Sequence, residues 1–331
     1  MTEARSACPR LVLLLPGQGS QYPRMAAGLY ASEPVFAAAL DEVFDAMGAE
    51  GVRIRADWLS DRPVVSTDHV TRAQPLLFAV DYAVGRLVWS WAGQPGALLG
   101  HSAGEVVAAT LAGVFSLADA TRLMLDRVER LAGAPPGGML AVAASPDELA
   151  PFLDDEVAIA AINAPRNTIL SGFDRPLARV VTALRAQGYW CQPVPAQTAF
   201  HSPLLGEFSL GAADFVNSVP VEAPTMPICS GYTADFLDMG ELRDGKFWAE
   251  QPARPVLFWA ALNRLLAQGE YVLVEAGPGR LLSGIARRHP AVRAGRHATH
   301  AVLPDRPGHP DADRAAAVQA RNWLAAQLSG D

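Results

Sequence analysis

The 331 residues are half hydrophobic and 18% charged, a globular balance, and their number admits two domains or one large α/β domain carrying an insertion. A net charge of −7 argues against a nucleic-acid partner, no apolar run reaches the roughly 18 residues of a membrane span, and Met1–Pro9 has no signal-peptide core, so a cytoplasmic protein without a membrane partner is expected. Cys8, Cys191 and Cys229 are too scattered for a disulfide framework or a zinc site and read as free thiols, with no metal bound.

Leu11–Leu15 is an unbroken apolar run, which predicts a buried strand, and Pro16-Gly17-Gln18-Gly19-Ser20-Gln21 predicts a glycine-rich loop behind it. No Gly-Lys-Ser/Thr follows and the glycines miss the G-x-G-x-x-G spacing, so the loop is no phosphate cradle; exposed backbone N–H is its expected use. A helix pattern begins near Met25. Leu77, Val80, Val84, Leu87, Val88 and Trp91 recur at three and four, which predicts a long amphipathic helix over 74–91. After Pro95-Gly96, Ala97–Leu99 reads as a short buried strand and Glu105–Leu111 as a helix closed by Gly113. Between them lies Gly100-His101-Ser102-Ala103-Gly104, a G-x-S-x-G run in the strand–turn–helix context that a nucleophile elbow requires. There the serine would sit on a strained turn at a helix N-terminus, whose N–H groups favour developing negative charge. A glycine-rich βα turn with a capping serine fits the same five residues.

Ser116-Leu117-Ala118-Asp119 starts like a capping box and predicts a helix running to Gly133. Within it Leu117, Ala120, Leu123, Met124, Val128 and Leu131 share one arc of roughly 140°, and Arg127 falls inside that arc. An arginine among core positions needs acceptors: an internal Asp or Glu, a snorkelling path to water, or a carboxylate from outside. Beyond the Ala134–Gly138 linker the pattern predicts a strand at 139–144, a helix at 146–153, a hairpin of 157–163 with 168–171, a helix at 177–187 and a strand at 189–194. The order βαββαβ is the ferredoxin-like split motif. The expected fold class is therefore α/β: a large α/β-hydrolase-like domain with a parallel sheet, made of 1–136 and 199–331, carrying an inserted ferredoxin-like subdomain at 137–198. His201 stands just before Ser202-Pro203, a helix start, where a lone histidine can equally be structural. Helices at 254–268, after Gly277-Pro278-Gly279 and in 305–331, with a strand at 271–274, complete the reading.

Four segments, Pro16–Gln21, Gly100–Glu105, Ala199-Phe200-His201-Ser202-Pro203 and Glu275–Gly279, together resemble the malonyl-CoA:acyl carrier protein transacylases and the acyltransferase domains of polyketide synthases. The resemblance runs from Leu11 to about Ile285. It implies ping-pong transfer of a malonyl-type group from acyl-CoA, through an acyl-serine, to the phosphopantetheine arm of an acyl carrier protein, for polyketide or fatty acid synthesis and with no bound cofactor. Ser102 would be the nucleophile and His201 its base. Gln251 stands where the family has the Asn or Gln whose oxygen orients that histidine, and the backbone N–H groups of Gln18 and Ala103 would form the oxyanion hole. Arg127 follows Ser102 at the spacing of the arginine that binds the free carboxylate of malonyl substrates. Phe200 matches the Ala-Phe-His pattern that crowds the substrate α-carbon, and His101 is expected at the substrate as well. Thr198 and Ala103 differ from the family's usual residues, which keeps a branched or larger acyl unit open.

An editing hydrolase and a non-catalytic docking module are the competing readings. Arg127 argues against the first, since such editors act on uncharged chains, and intact Ser102 and His201 argue against the second. A stand-alone monomer acting in trans is expected. Between Arg280 and His300 the chain holds Arg280, Arg287, Arg288, Arg293, Arg296, His289, His297 and His300 and no acid. Arg287, Arg288 and Arg293 are the expected carrier-protein docking residues; a solvated face with arginines paired to distant acids is the other reading of that stretch.

Overall fold

In the computed structural model, which describes residues 10–306 and 308–329, two sheets divide the strands according to their hydrophobic pattern. In chain order the strands are β1 (Arg10–Leu15), β2 (Ala97–Gly100), β3 (Gly137–Val142), β4 (Val157–Ala164), β5 (Asn167–Phe173), β6 (Cys191–Val194), β7 (Ile228–Cys229), β8 (Tyr271–Glu275) and β9 (Ala298–Ala301). The first sheet has the order β7-β2-β1-β8-β9 and is parallel throughout. Helices cover both faces of such a sheet, so β1, β2 and β8 are buried along nearly their whole length and read as continuous apolar runs. Register puts Leu15 beside Gly100 and Leu14 beside Glu275. The loops leaving β1, β2 and β8 therefore converge at one sheet end, the crevice where ligands bind in open α/β sheets.

The second sheet, β4-β5-β3-β6, is antiparallel, with the strand order of a ferredoxin-like unit. Its strands alternate: Leu140, Val142, Val157 and Leu170 pack under the Asp174–Ala186 helix, while Met139, Ala141, Ala161 and Ile169 face the large sheet's crevice. Ala161 bridges Val256, with Ile162 N–H donating to the Val256 carbonyl (2.8 Å) and Val256 N–H to that of Ala160 (2.9 Å). The small sheet is thereby tied to the segment just after Gln251.

That tie explains a difference from the expected helix at 254–268. Pro255 pushes Arg254 into extended backbone and Val256 joins β4, so the helix starts only at Phe258. The long helix runs from Val70 to Ala92 with Pro75 inside it; the Thr71 carbonyl that Pro75 cannot serve accepts Arg72 Nη1 at 3.1 Å. Ser202-Pro203 opens a 3₁₀ segment, Pro203–Ser209, rather than an α-helix. Ser116 caps Leu117–Ala132 as expected, accepting from Asp119 N–H at 3.1 Å. Helices at Pro34–Ala46 and Ala49–Leu59, and strands β7 and β9, were not read from the sequence. Cys191 and Cys229 are free thiols, and Cys8 lies outside the described residues. No described helix is long and apolar enough to cross a membrane.

Candidate active site

Ser102 sits between β2 and the Gly104–Leu111 helix with φ +56°, the left-handed backbone of a nucleophile elbow. The flanking glycines are steric requirements. A Cβ on Gly100 would lie 2.4 Å from the Glu105 backbone N, and one on Gly104 would lie 2.1 Å from the Leu15 carbonyl oxygen. Gly17 of the β1 loop presses equally close, since a Cβ there would meet the His101 oxygen at 2.5 Å and Ser102 Cβ at 3.0 Å. The Gln18 side chain anchors that loop, accepting from Gln74 Nε2 at 3.2 Å. The backbone N–H groups of Gln18 and Ala103 have no hydrogen-bond partner among the described residues.

His201 also has left-handed backbone, φ +61°, with its N–H on the Pro252 carbonyl. Ser102 Oγ donates to His201 Nε2 at 2.7 Å. His201 Nδ1–H faces two main-chain carbonyls, Arg254 at 3.0 Å and Gln251 at 3.2 Å, which fixes the tautomer with its lone pair on the serine side. Burial, with the charges of Arg127 and His101, pushes His201 down to about 3, so the imidazole is neutral and basic near pH 7.

The oxygen of Gln251 that meets the histidine is therefore the main-chain one. Its side chain does something else: Oε1 accepts from Arg127 Nη1 at 3.4 Å, and Nε2 donates to Glu105 Oε1 at 3.5 Å. Glu105, fully buried, also accepts from Ser230 Oγ (2.7 Å) and Gly231 N–H (3.0 Å), and burial pushes its carboxyl up to about 8 against those donors.

Arg127 forms no ion pair with any described residue. Its neighbour Asp126 is taken by Arg130 at 2.7 Å. Nε and Nη2, the guanidinium edge that grips a carboxylate with two parallel N–H bonds, are buried and unpartnered among the described residues. The cation lies close enough to Ser102 and His201 to depress the histidine and to interact with Tyr232, whose hydroxyl in turn faces Ser102.

Ser102 and His201 open into a cleft of about 220 Å³ between the sheets, lined by Gln18, Phe200 and Leu281 on one side and Met139, Asn163 and Gln192 on the other. His101 donates from Nε2 to Asn163 Oδ1 at 2.9 Å, joining the elbow to β4. Phe200 is buried, its ring 6.4 Å from that of His201. Thr198 lines a separate groove with His69 and Asp174. Arg287, Arg288, Arg293 and Arg296 are exposed and form no ion pair among the described residues, on and after a helix whose first residue, Leu281, reaches the cleft mouth. Two histidines of that stretch do not belong to the basic face. His289 is buried, accepting from Ala291 N–H and donating to Asn263, and His297 is buried, accepting from Tyr271 N–H; burial lowers both pKa values and keeps the rings neutral. Glu105, Asn163 and Tyr232 were not singled out in the sequence. Only Glu105, abutting the G-x-S-x-G run, carried a signal that could have found it.

Residues 12–325 match the acyl transferase domain family. The chain is 36% identical over 293 residues to a phenolphthiocerol/phthiocerol polyketide synthase of Mycobacterium tuberculosis, a match that takes in 87% of this chain but only 19% of that synthase. The acyltransferase domain from the second module of the salinomycin polyketide synthase superposes with a TM-score of 0.83 at 33% identity, over 96% of this chain and 74% of that one. The malonyl-CoA:acyl carrier protein transacylase of Xanthomonas oryzae pv. oryzae superposes at 0.80 and 26% identity, over 95% and 99%. With a serine on a strained elbow, a neutral histidine 2.7 Å from it and a family match across nearly its whole length, the chain belongs to the acyl transferases of the polyketide synthase and malonyl-CoA transacylase type.

Proposed function

We propose that the protein transfers a malonyl-type acyl group from CoA to the phosphopantetheine thiol of an acyl carrier protein through acyl-Ser102. The observation that carries this reading is the unpartnered Nε and Nη2 edge of Arg127, buried within electrostatic reach of the nucleophile. A buried, unpaired cation costs several kcal/mol by the usual estimates, and a substrate carboxylate offsets that cost where an acetyl methyl does not.

His201 Nε2 takes the Ser102 proton as Oγ attacks the thioester carbonyl, and the Gln18 and Ala103 N–H groups receive the oxyanion. Collapse breaks the C–S bond, and His201 returns the proton to the departing CoA sulfur. In the second half the carrier thiol gives its proton to His201 and attacks the acyl-serine; Ser102 Oγ leaves and recovers the proton. Arg287, Arg288 and Arg293, beside the cleft mouth, suit an acidic carrier protein. A second reading, a short branch on the acyl unit, is favoured by an apolar cavity of about 40 Å³ against Arg127, lined by Leu123, Met124 and Trp248.

Intact-mass analysis after mixing with a panel of acyl-CoAs tests the proposal. A malonyl-type adduct is expected on the wild-type protein and none on Ser102→Ala; an adduct persisting in Ser102→Ala would overturn it.

A further inference from the structure

Arg127 is not the only unpartnered donor at this site. Tyr232 is 4% exposed, its ring 6.1 Å from that of His201 and edge-on to Phe247 at 6.4 Å. It stands in the turn after β7, and the turn is pinned from beneath. Ser230 Oγ accepts the Tyr232 N–H at 3.0 Å, while Glu105 accepts from both Ser230 Oγ and Gly231 N–H. The backbone under the ring is thus fixed to the residue that follows the elbow, and the aromatic walls leave the side chain one direction. Its hydroxyl faces Ser102 and the Arg127 guanidinium but is in hydrogen-bond geometry with neither, and no other described residue partners it. A buried tyrosine hydroxyl normally has a partner, because leaving one unmade forfeits the whole cost of drying it. Burial also holds the phenol far above its usual pKa, so it keeps its proton across the working range.

We propose that Tyr232 is a specificity-determining residue whose O–H donates to the free carboxylate of the acyl group on Ser102, completing with Arg127 Nε and Nη2 a cradle of three donors. This rests on the malonyl-type reading above and deepens it. An ionised carboxylate offers about four lone-pair sites. The arginine edge uses one on each oxygen, and the phenol takes a third from another direction, which fixes the carboxylate's rotation as well as its position. The oxyanion has its own donors in the Gln18 and Ala103 backbone, so the phenol is free for the far end of the acyl group. With an acetyl group all three donors stay dry and unpaired, so Tyr232 adds to discrimination as well as to affinity.

Tyr232→Phe removes one oxygen and keeps the ring. Its kcat/KM for acylation of Ser102 is to be measured by quenched-flow mass analysis with malonyl-CoA and acetyl-CoA, beside wild type and Arg127→Ala. The malonyl value is expected to fall about tenfold, as for loss of one hydrogen bond to a charged group, with the acetyl value unchanged or raised. An equal fall with both CoA esters would assign the hydroxyl to Ser102 or to the fold and overturn the proposal, as would no change with either. If Tyr232→Phe is silent while Arg127→Ala collapses the malonyl preference, only the tyrosine's role fails. If wild type shows no malonyl preference, the malonyl-type reading itself fails.

Discussion

His201 rests its Nδ1–H on two main-chain carbonyls where many serine enzymes use a carboxylate, and burial beside Arg127 pushes it down to about 3. The base form therefore persists far below the usual histidine range. Acylation of Ser102 by malonyl-CoA is expected to stay flat from pH 8 to pH 5; an inflection near the ordinary histidine value of 6.5 in that half-reaction would contradict the assignment. Stability carries the same sign. Between about 6.5 unfolded and about 3 folded the unfolded chain binds the extra proton, so the contribution of neutral His201 is full above that window and is lost as pH falls through it. Ser102, His201 and Arg127 could be read from the sequence because each sits in a motif or inside a periodic arc. Which oxygen of Gln251 meets the histidine could not, since the residue type permits both and only the carbonyl's position after the Gly245–Glu250 helix decides. Tyr232 follows a strand of two residues, too short for any period to mark it.

The elbow depends on how closely three loops approach. A Cβ on Gly17 would collide with the His101 carbonyl oxygen at 2.5 Å, a backbone atom that cannot move without shifting Ser102. Gly17→Ala is expected to cost about 1–3 kcal/mol of stability, read from the urea midpoint, and to slow acylation at least tenfold even in the folded fraction. Acylation at the wild-type rate in folded Gly17→Ala would mean that the loop yields away from the nucleophile. The parallel-sheet strands were legible as apolar runs and the small sheet as alternation, because burial on two faces or on one leaves different patterns. The segment at Arg254–Leu257 misled because helical periodicity there competes with Pro255 and with pairing of Val256 to Ala161, a partner distant in sequence.

At the scale of the molecule the two sheets enclose the cleft, and the exposed arginines lie beside its mouth. One-signed charge in that stretch was legible; the burial of His289 and His297 was not, because both are held by main-chain N–H groups that composition does not reveal. Replacing Arg287, Arg288 and Arg293 with Glu breaks no ion pair among the described residues. It is expected to weaken transfer to the carrier protein several-fold, most at low salt, since screening length shrinks to roughly 8 Å at physiological ionic strength. Acyl-serine formation from the CoA ester should be nearly unchanged; an equal loss in both half-reactions would assign the arginines to CoA binding or to the fold. The central claim, that Arg127 makes Ser102 selective for an acyl group with a free carboxylate, is met most directly by competition. Wild type and Arg127→Ala are mixed with equal malonyl-CoA and acetyl-CoA, quenched, digested, and the acyl group on the Ser102 peptide identified by mass. Malonyl on the wild-type peptide, with a shift toward acetyl in Arg127→Ala, is the predicted result; an unchanged ratio, or an acyl group on another peptide, would contradict the account.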